Sequence, residues 1–256
     1  MNREQVFNRI NHTIKSHYLN QQGDRFLEYK DPESLKKILH LDTMPNGADW
    51  EQIFTWIEQY LAYSAKTNHK GFVNRMWEGA NLPSVLGEMV TAISNTSSCT
   101  YESAPVSTLR EKYMINQMLD LVGFKNGEGQ MSTGSSNANM IAMMAARNEK
   151  IPQIKTVGLT GQPQLSAFVS EDAHYSMEKA ANVLGIGTQN LFKIPVTATG
   201  EMNLNILSDR LEKCVQQKAV TFFVAGTAGT TVRGAYDPVP GLLELRQKYG
   251  FWLHVD

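Results

Sequence analysis

The feature that most constrains the fold is an alternation of short apolar segments with helix-like segments in the second half of the chain. The segments between the apolar ones have helical periodicity, and YSMEKAANVLG ends at Gly185, where a glycine C-cap is expected. Strands separated by crossover helices form a mainly parallel sheet with helices on both faces. We therefore predict an α/β fold whose strands are LSAFVS (165–170), LFKIPV (191–196), VTFFVA (220–225) and FWLHVD (251–256).

The beginning of the chain has a different pattern, which is helical throughout. Apolar residues recur three and four positions apart from Phe7 to Tyr18, and again in WEQIFTWIEQYL. This spacing places them on one face of a helix, and we interpret both faces as packing surfaces. We expect residues 1–65 to form an N-terminal helical segment and residues 66–256 to belong to the α/β domain.

Charge and cysteine content argue against several classes of function. The 256 residues include 24 Lys and Arg against 25 Asp and Glu, and no basic run stands out, so we expect no nucleic-acid partner. Cys99 and Cys214 lack the spacing of a zinc site or a disulfide framework. The amino-terminal segment is polar where a signal peptide needs an apolar core, and no apolar run reaches membrane-spanning length. We therefore expect a cytoplasmic protein without a bound metal or a membrane partner.

The segment GQMSTGSSNANMIAMMAAR (129–147) indicates a phosphate site. Small and hydroxyl residues precede a strong helix here, so Gly134, Ser135 and Ser136 would present free N–H groups and hydroxyls at a helix amino terminus. The helix dipole and unpaired N–H donors together bind phosphate groups. The segment matches neither a Walker A loop nor a GxGxxG fingerprint, and an ordinary serine N-cap is the alternative.

A histidine follows the first predicted strand. In SEDAHYSMEKAA (170–181), His174 stands just after the strand and just before a helix, which places it at the carboxyl edge of the sheet. An imidazole ring at this edge can cover the face of a ligand and exchange a proton near neutral pH. The alternative is a hydrogen-bonded surface histidine, and position alone does not decide between the two.

Threonine hydroxyls follow the third predicted strand. The segment FFVAGTAGTTVRGAYDP (222–238) has two glycine-containing turns, with hydroxyls at Thr227, Thr230 and Thr231. They would face the ligand crevice beyond the carboxyl ends of the strands. Asp237 precedes a proline, and we expect it to be the N-cap of the next helix.

The fourth strand delivers an acid, Asp256, to its carboxyl end. The chain thus offers, in order, a phosphate site, a histidine, a threonine-lined turn and a carboxylate. This order fits a cofactor with a phosphate at one end and a basic ring nitrogen at the other. Pyridoxal phosphate is such a cofactor. A carboxylate beside the pyridine nitrogen keeps it protonated, and the protonated ring withdraws electrons from a carbanion on the attached amino acid.

From about residue 66 to residue 256 the sequence resembles the group II pyridoxal-phosphate decarboxylases, most closely the branch containing glutamate decarboxylase and cysteine sulfinate decarboxylase. Four motifs carry this resemblance in the same order along the chain: NTSSCTYESAPV, SEDAHYSMEKAA, AGTAGTTVRGAYDP and WLHVD. The resemblance implies fold type I, with a large domain like that of aspartate aminotransferase, and pyridoxal 5'-phosphate as the cofactor.

The resemblance also implies roles for five residues. Ser135 and Ser136 match the family's phosphate-binding positions, and His174 matches the histidine stacked on the pyridine ring. Thr231 matches the threonine beside the ring, and Asp256 matches the partner of the ring nitrogen. All five are therefore cofactor-binding candidates, and His174 and Asp256 are the catalytic candidates.

Two departures from the family pattern bear on binding. Where the family often has Gly-Gly-Ser-Glu-Ala-Asn, this chain has GSSNAN (134–139), which keeps the small donors, so we expect phosphate binding to survive. Where glutamate-type members carry a glutamine, GFVNRMWEG has Arg75, and Lys70 replaces the proline after His69. Arg75, with its neighbour Asn74, could bind a distal carboxylate or sulfinate of the substrate, or could simply be solvated on a loop.

In the family, the lysine that forms the Schiff base follows the strand-end acid by a few tens of residues. That position would lie beyond Asp256, and Lys70 precedes the phosphate segment, so it does not match the family's order. We therefore expect the last sheet strands, the Schiff-base lysine and the C-terminal small domain to be missing. On this interpretation the chain is the N-terminal part of a larger enzyme and is inactive alone.

The predicted activity of the parent enzyme is pyridoxal-phosphate-dependent α-decarboxylation of an acidic amino acid such as glutamate, aspartate or cysteine sulfinate. By the resemblance, we expect the parent to be a homodimer whose active sites lie across the two-fold interface. One alternative is another fold type I activity, an aminotransferase or a lyase, because the fold does not determine the reaction. The other is a non-catalytic truncated product that retains an assembly role.

Overall fold

The computed structural model describes residues 1–41, 47–73 and 79–256. The chain divides into two compact units, Met1–Ala104 and Pro105–Asp256. This division lies after the boundary between residues 65 and 66 that we predict from the change of pattern, because the helical pattern of the first unit continues through one further helix. The predicted large domain of the family remains a prediction about the whole protein.

The first unit consists of helices in its described parts. Each helix begins after an Asn or Asp whose side-chain oxygen accepts a hydrogen bond from a backbone N–H of the first turn, which is how polar N-caps stabilise helix ends. The bounds of the helices are α1 Arg3–Leu19, α2 Pro32–Leu39, α3 Trp50–Tyr63 and α4 Leu82–Ser94.

Helices α1 and α3 pack together through Arg9 and Phe54. The Arg9 guanidinium lies 4.4 Å from the centre of the Phe54 ring, which is buried, and its Nη1 atom contacts Glu51 at 2.6 Å. The two predicted apolar faces are only partly covered within this unit. Phe7 is 59% exposed and Trp50 is 44% exposed, so our interpretation of both as packing residues is wrong for the single chain.

The second unit contains the predicted alternation of strands and helices. It opens with two long helices and one short helix and continues with four strands, each separated from the next by a helix. The bounds are α5 Pro105–Leu121, α6 Ser135–Lys150, α7 Ile154–Val157, β1 Leu165–Ser170, α8 Ser176–Val183, β2 Leu191–Ile194, α9 Leu204–Gln216, β3 Val220–Gly226, α10 Val239–Tyr249 and β4 Trp252–Val255, with a 3₁₀ turn at Thr188–Asn190.

The four strands form one parallel sheet in the order β2-β1-β3-β4. Alternate residues face opposite sides. Val169 and Phe223 pack with helices α6 and α8, whereas Phe168 and Val224 pack with helices α9 and α10. Both faces of the central strands are therefore buried, which explains why these strands are continuous apolar runs in the sequence. The predicted α/β fold with a parallel sheet is confirmed.

This topology brings the ends of three strands to one edge of the sheet. Because the strands are parallel, the residues that follow Ser170 in β1, Gly226 in β3 and Val255 in β4 all lie at the carboxyl edge. Ligands of open α/β sheets bind beyond this edge. Separately, no helix within the described ranges combines the length and apolar character that crossing a membrane requires.

Candidate functional site

The predicted site residues of the second unit come from four places in the fold. Ser135 and Ser136 begin helix α6, His174 lies between β1 and α8, Thr231 lies in the turn after β3, and Asp256 follows β4. The two substrate candidates, Asn74 and Arg75, lie outside the described residues.

The start of helix α6 presents unpaired N–H groups. Its N-cap is Gly134, which has a φ of 107° and makes no side-chain cap, and no atom lies within 4 Å of the position that a Cβ would occupy there. Within the described residues, the backbone N–H groups of Ser135 and Ser136 donate to no acceptor. The alternative of an ordinary serine N-cap is therefore wrong, and the free donors face open space, as an anion site requires.

His174 is half-buried and hydrogen-bonded through one ring nitrogen. Its Nδ1 atom lies 2.8 Å from the Ser176 hydroxyl and accepts a hydrogen bond from the Ser176 backbone N–H at 3.2 Å. The ring also lies against Tyr175, with 4.3 Å between ring centres. These contacts hold the ring at the carboxyl edge and engage Nδ1, so Nε2 is the ring nitrogen left for a ligand.

Further polar residues connect His174 to helix α6 and strand β4. The Asn139 side-chain amide donates to the Ser176 hydroxyl at 3.0 Å, and the Asn139 carbonyl oxygen lies 2.8 Å from the Nε2 atom of His254. His254 stacks on Phe223, with 5.5 Å between ring centres. Sequence reasoning missed this network, although a histidine inside an otherwise apolar strand was a signal for it.

Burial lowers the pKa of His254 below the usual imidazole value of 6.5, and the nearby Asp256 carboxylate partly offsets this effect. The neutral ring is therefore favoured in the folded chain. A neutral imidazole carries one proton, so one ring nitrogen donates and the other accepts.

The Asp237 carboxylate contributes to holding the turn after β3. The Asp237 carboxylate accepts hydrogen bonds from the backbone N–H of Met202 at 2.6 Å and of Thr227 at 2.8 Å. Helix α10 begins after Pro238, so our expectation that Asp237 is an N-cap is wrong. Burial raises the pKa of Asp237, which the two N–H donors partly counteract.

The three threonines of this turn differ in environment. The Thr227 hydroxyl is buried without a hydrogen-bond partner among the described residues, and the Thr230 hydroxyl accepts from the backbone N–H of Ala235 at 3.1 Å. Thr231, the predicted neighbour of the cofactor ring, is exposed. Its hydroxyl is thus accessible at the carboxyl edge.

The backbone of Asp256 continues the pairing of β3 with β4. Its N–H donates to the Gly226 carbonyl at 2.9 Å, and its carbonyl accepts from the Ala228 N–H at 2.7 Å. These two bonds hold Asp256 beside the threonine turn, and the residue is half-buried. A second link joins the loops at this edge: the Nε atom of Arg233 lies 3.3 Å from the Asp172 carboxylate, which follows β1.

A cavity of about 430 Å³ in this unit lies at the other, amino edge of the sheet. It is lined by side chains including Lys150, Phe222 and Trp252, and by none of the predicted site residues. The predicted residues lie instead at the start of α6 and after the carboxyl ends of β1, β3 and β4.

With this geometry in place, comparison with known proteins defines the class. The chain belongs to the pyridoxal-dependent decarboxylase family, because residues 32–256 match the family model described as "Pyridoxal-dependent decarboxylase conserved domain". The family resemblance that we infer from the sequence motifs is confirmed, and so are the fold and pyridoxal phosphate as the cofactor of the family.

The similar proteins include several decarboxylases of acidic amino acids. The chain is 38% identical over 234 residues to acidic amino acid decarboxylase GADL1 of Mus musculus, covering 91% of this chain and 42% of that protein. It is 37% identical to cysteine sulfinic acid decarboxylase of Homo sapiens, covering 91% and 48%, and 35% identical to glutamate decarboxylase of Drosophila melanogaster, covering 93% and 47%. The chain spans about half the length of these curated relatives.

Solved structures agree with the fold. The apo form of mouse CSAD superimposes with a TM-score of 0.95 at 34% identity, covering 99% of this chain and 54% of that one. Oryza sativa TDC with pyridoxal phosphate and tryptamine has a TM-score of 0.87 at 18% identity, covering 99% and 54%, which supports the fold alone.

The residues at the carboxyl edge fit pyridoxal phosphate. The free N–H groups at the start of helix α6 suit its phosphate, and Gly134 leaves the approach open. The half-buried Asp256 supplies the carboxylate that a basic ring nitrogen needs. The buried Thr227 hydroxyl, which has no partner among the described residues, adds a free polar group at this edge. The roles of the individual residues remain predictions.

Proposed function

We propose that the whole protein is a pyridoxal-phosphate-dependent decarboxylase that removes the α-carboxylate of an acidic amino acid. The observation that carries this proposal is the presence of free helix N–H groups, a histidine ring and a strand-end carboxylate at one edge of the sheet. The acidic substrate class is supported by relatives whose names specify acidic amino acid, cysteine sulfinic acid and glutamate decarboxylases.

In this proposal Ser135, Ser136 and Asp256 bind the two ends of the cofactor. The N–H groups and hydroxyls of the two serines bind the phosphate, and the helix dipole strengthens that binding. Asp256 accepts a hydrogen bond from the protonated ring nitrogen and stabilises its positive charge. When bound, pyridoxal phosphate supplies a protonated ring that accepts the electron pair left by the departing carbon dioxide.

His174 would cover the face of the cofactor ring and hold a proton on its Nε2 atom. Because Nδ1 is engaged by Ser176, the proton that this residue can deliver is the one on Nε2. Thr231, which is exposed at the same edge, would contact the ring from the turn after β3. Asn74 and Arg75 bind the acidic side chain of the substrate, and a bidentate guanidinium suits both a carboxylate and a sulfinate.

Carbon dioxide release tests this proposal directly. The whole protein, saturated with pyridoxal phosphate, is assayed with glutamate, aspartate and cysteine sulfinate, and with tryptophan as a substrate that has no acidic side chain. We expect release from at least one acidic amino acid, its loss without the cofactor and little release from tryptophan. Transamination or retro-aldol cleavage without carbon dioxide would contradict the proposal and favour the aminotransferase or lyase alternative. No turnover by the cofactor-saturated protein would favour the non-catalytic alternative.

A matched pair of variants tests the proposed role of Arg75 in substrate binding. Arg75→Lys keeps the charge but removes the bidentate fork, and Arg75→Gln removes the charge. We expect KM for the acidic substrate to rise in both variants, more in Arg75→Gln, with a smaller change in kcat. Unchanged kinetics in both would show that Arg75 is solvated rather than bound to substrate.

We propose also that the whole protein is a homodimer. Each unit, considered by itself, exposes large apolar side chains on its helices, such as Phe7 and Ile93 in the first unit and Tyr113 and Leu121 in the second. Exposed apolar side chains in such numbers are covered by a further protein surface, which in this proposal is partly a second copy of the chain. Sedimentation of the whole protein at micromolar concentration should give the mass of two chains, and a monomer would contradict the proposal.

A cytoplasmic location is the remaining part of the proposal. It is supported by the two cysteines, because Cys99 and Cys214 are both free thiols and reduced thiols are typical of that compartment. Cell fractionation with an antibody to the whole protein tests it, and recovery in a membrane or organelle fraction would contradict it.

A further inference from the structure

Four polar side chains form one continuous chain of hydrogen bonds beneath the candidate site. His254 in β4 contacts Asn139 in α6 at 2.8 Å, Asn139 contacts Ser176 in α8 at 3.0 Å, and Ser176 contacts His174 at 2.8 Å. We call these four residues the histidine relay. The relay joins the two histidines through Asn139 and Ser176, which are buried. Their exposed fractions are 2% and 1%.

A backbone group determines the direction of every hydrogen bond in the relay. The N–H of Ser176 can only donate, and it points at Nδ1 of His174 at 3.2 Å. Nδ1 must therefore be an acceptor without a proton. The Ser176 hydroxyl, also within hydrogen-bonding distance of Nδ1, then has to donate its single hydrogen to it.

The remaining bonds follow from that first one. Since the Ser176 hydroxyl donates to His174, it accepts from Asn139, which must present its NH₂ group to the hydroxyl. The carbonyl oxygen of Asn139 is then directed at His254, and an acceptor there requires a proton on Nε2 of His254. Every donor in the relay thus points from His254 toward His174.

We propose that His254 and Asn139 are positioning residues that fix His174 as the Nε2–H tautomer. Each side-chain nitrogen and oxygen atom of Asn139 and Ser176 takes part in the relay. Reversing any one bond would therefore leave a buried donor facing a donor, which is unfavourable. Stacking on Phe223 fixes the plane of the His254 ring. The buried start of α8 holds Ser176 in place for its hydrogen bonds with His174. The burial-lowered pKa of His254 agrees with a ring that carries one proton.

The consequence for catalysis rests on the proposed function, whereas the tautomer itself rests on the hydrogen bonds alone. With Nδ1 occupied, His174 holds its proton on the nitrogen that faces away from the relay, so each turnover begins with the donor in place. Without the relay, the Ser176 hydroxyl would be free to turn away from Nδ1, which would then be held only by the longer contact with the backbone N–H at 3.2 Å, so the Nδ1–H tautomer would gain population. We expect kcat of the whole protein to fall about tenfold while KM changes less than about twofold, because proton transfer rather than binding is affected.

Nitrogen NMR of the whole protein labelled with ¹⁵N-histidine tests the proposal. Long-range ¹H–¹⁵N spectra distinguish the two neutral tautomers, and the spectrum of His174→Gln identifies the His174 signals. Three variants report on the relay: His254→Phe removes the donor but keeps a ring against Phe223, His254→Gln restores an N–H donor, and Asn139→Leu removes the middle member. His12→Gln, at an exposed position on α1, is the matched control for the histidine changes.

We expect the Nε2–H tautomer of His174 in the unaltered protein, in His254→Gln and in His12→Gln. His254→Phe should give a mixture of tautomers and the loss in kcat, and Asn139→Leu the same if it folds. Near-ultraviolet circular dichroism checks that His254→Phe is folded. A Nδ1–H or doubly protonated His174 in the unaltered protein at neutral pH would overturn the proposal, as would an unchanged tautomer in folded His254→Phe. Decarboxylation is read separately, so an inactive protein with the expected tautomer would count against the proposed function and not against the relay.

Discussion

At the scale of single residues, burial of His254 makes a pH-dependent contribution to stability. Its pKa in the folded chain is lowered below 6.5, whereas the unfolded chain takes up a proton near that value. Below about pH 6.5 the unfolded chain therefore binds more protons, and the free energy of unfolding falls until the pH reaches the lowered folded value. We expect His254→Gln, which does not titrate, to lose less stability than the unaltered chain between pH 7.5 and pH 5.5.

Urea unfolding of His254→Gln and of the unaltered chain at a series of pH values measures this effect. The difference between their unfolding free energies at each pH separates the contribution of His254 from that of all other titrating groups. If the two proteins lost stability in parallel as the pH fell, His254 would have an ordinary pKa in the folded chain, and the burial argument for its neutral form would be wrong.

The Asp237 carboxylate is the second residue whose replacement has a definite expected effect. It accepts from the backbone N–H groups of Met202 and Thr227, and an amide can accept at only one oxygen while its NH₂ group faces the other donor. Asp237→Asn should therefore lower the free energy of unfolding by about 1–3 kcal/mol. Asp209→Asn, at an exposed position on α9, is the control and should change it by less than about 0.5 kcal/mol. Equal small effects would show that the two bonds contribute little.

At the scale of the elements, the four strands could be predicted because burial of both sheet faces requires continuous apolar sequence. Three of them lie within the predicted segments, and β3 extends one residue beyond its segment, to Gly226. Strand β2 ends at Ile194 because Pro195 has no N–H for the ladder. The position of each candidate residue after its strand follows from the same alternation. The edge at which His174 and Asp256 lie was therefore predictable before any contact was known.

The contacts between elements were not predictable in the same way. Asn139 and His254 are 115 positions apart, and an asparagine inside an alanine-rich helix has the same local pattern whether it is buried or exposed. Asp237 before a proline has the local pattern of an N-cap, but the tertiary structure directs its carboxylate to Met202 instead. Local pattern determines the elements, whereas long-range packing selects the partners of polar side chains.

The start of helix α6 depends on the backbone conformation of Gly134. Its φ of 107° is one that residues with a Cβ rarely adopt, so Gly134→Ala should cost about 1–3 kcal/mol of unfolding free energy even though the space around it is open. Gly87→Ala in the middle of α4 is the matched control, and there alanine should stabilise by up to about 1 kcal/mol. Urea unfolding of both variants measures the difference. A neutral Gly134→Ala would mean that the helix begins with a different geometry.

At the scale of the whole molecule, the chain spans about half the length of its curated relatives. The lysine that binds the cofactor therefore has to be identified in the whole protein. The family resemblance predicts that this lysine follows Asp256 in the sequence. We expect borohydride reduction of the whole protein with bound pyridoxal phosphate, followed by peptide mapping, to label one lysine located after residue 256. A single stoichiometric label within residues 1–256, for example on Lys70, would show that our prediction of the position of the catalytic lysine is wrong.

The central claim is that the carboxyl edge of this parallel sheet binds pyridoxal phosphate between the start of helix α6 and the end of strand β4. A crystal structure of the whole protein with the bound cofactor measures this most directly. We predict that the phosphate oxygens accept hydrogen bonds from the N–H groups of Ser135 and Ser136, and that the ring nitrogen lies about 2.7–2.9 Å from the Asp256 carboxylate. A cofactor bound elsewhere, or with its ring nitrogen away from Asp256, would contradict the account.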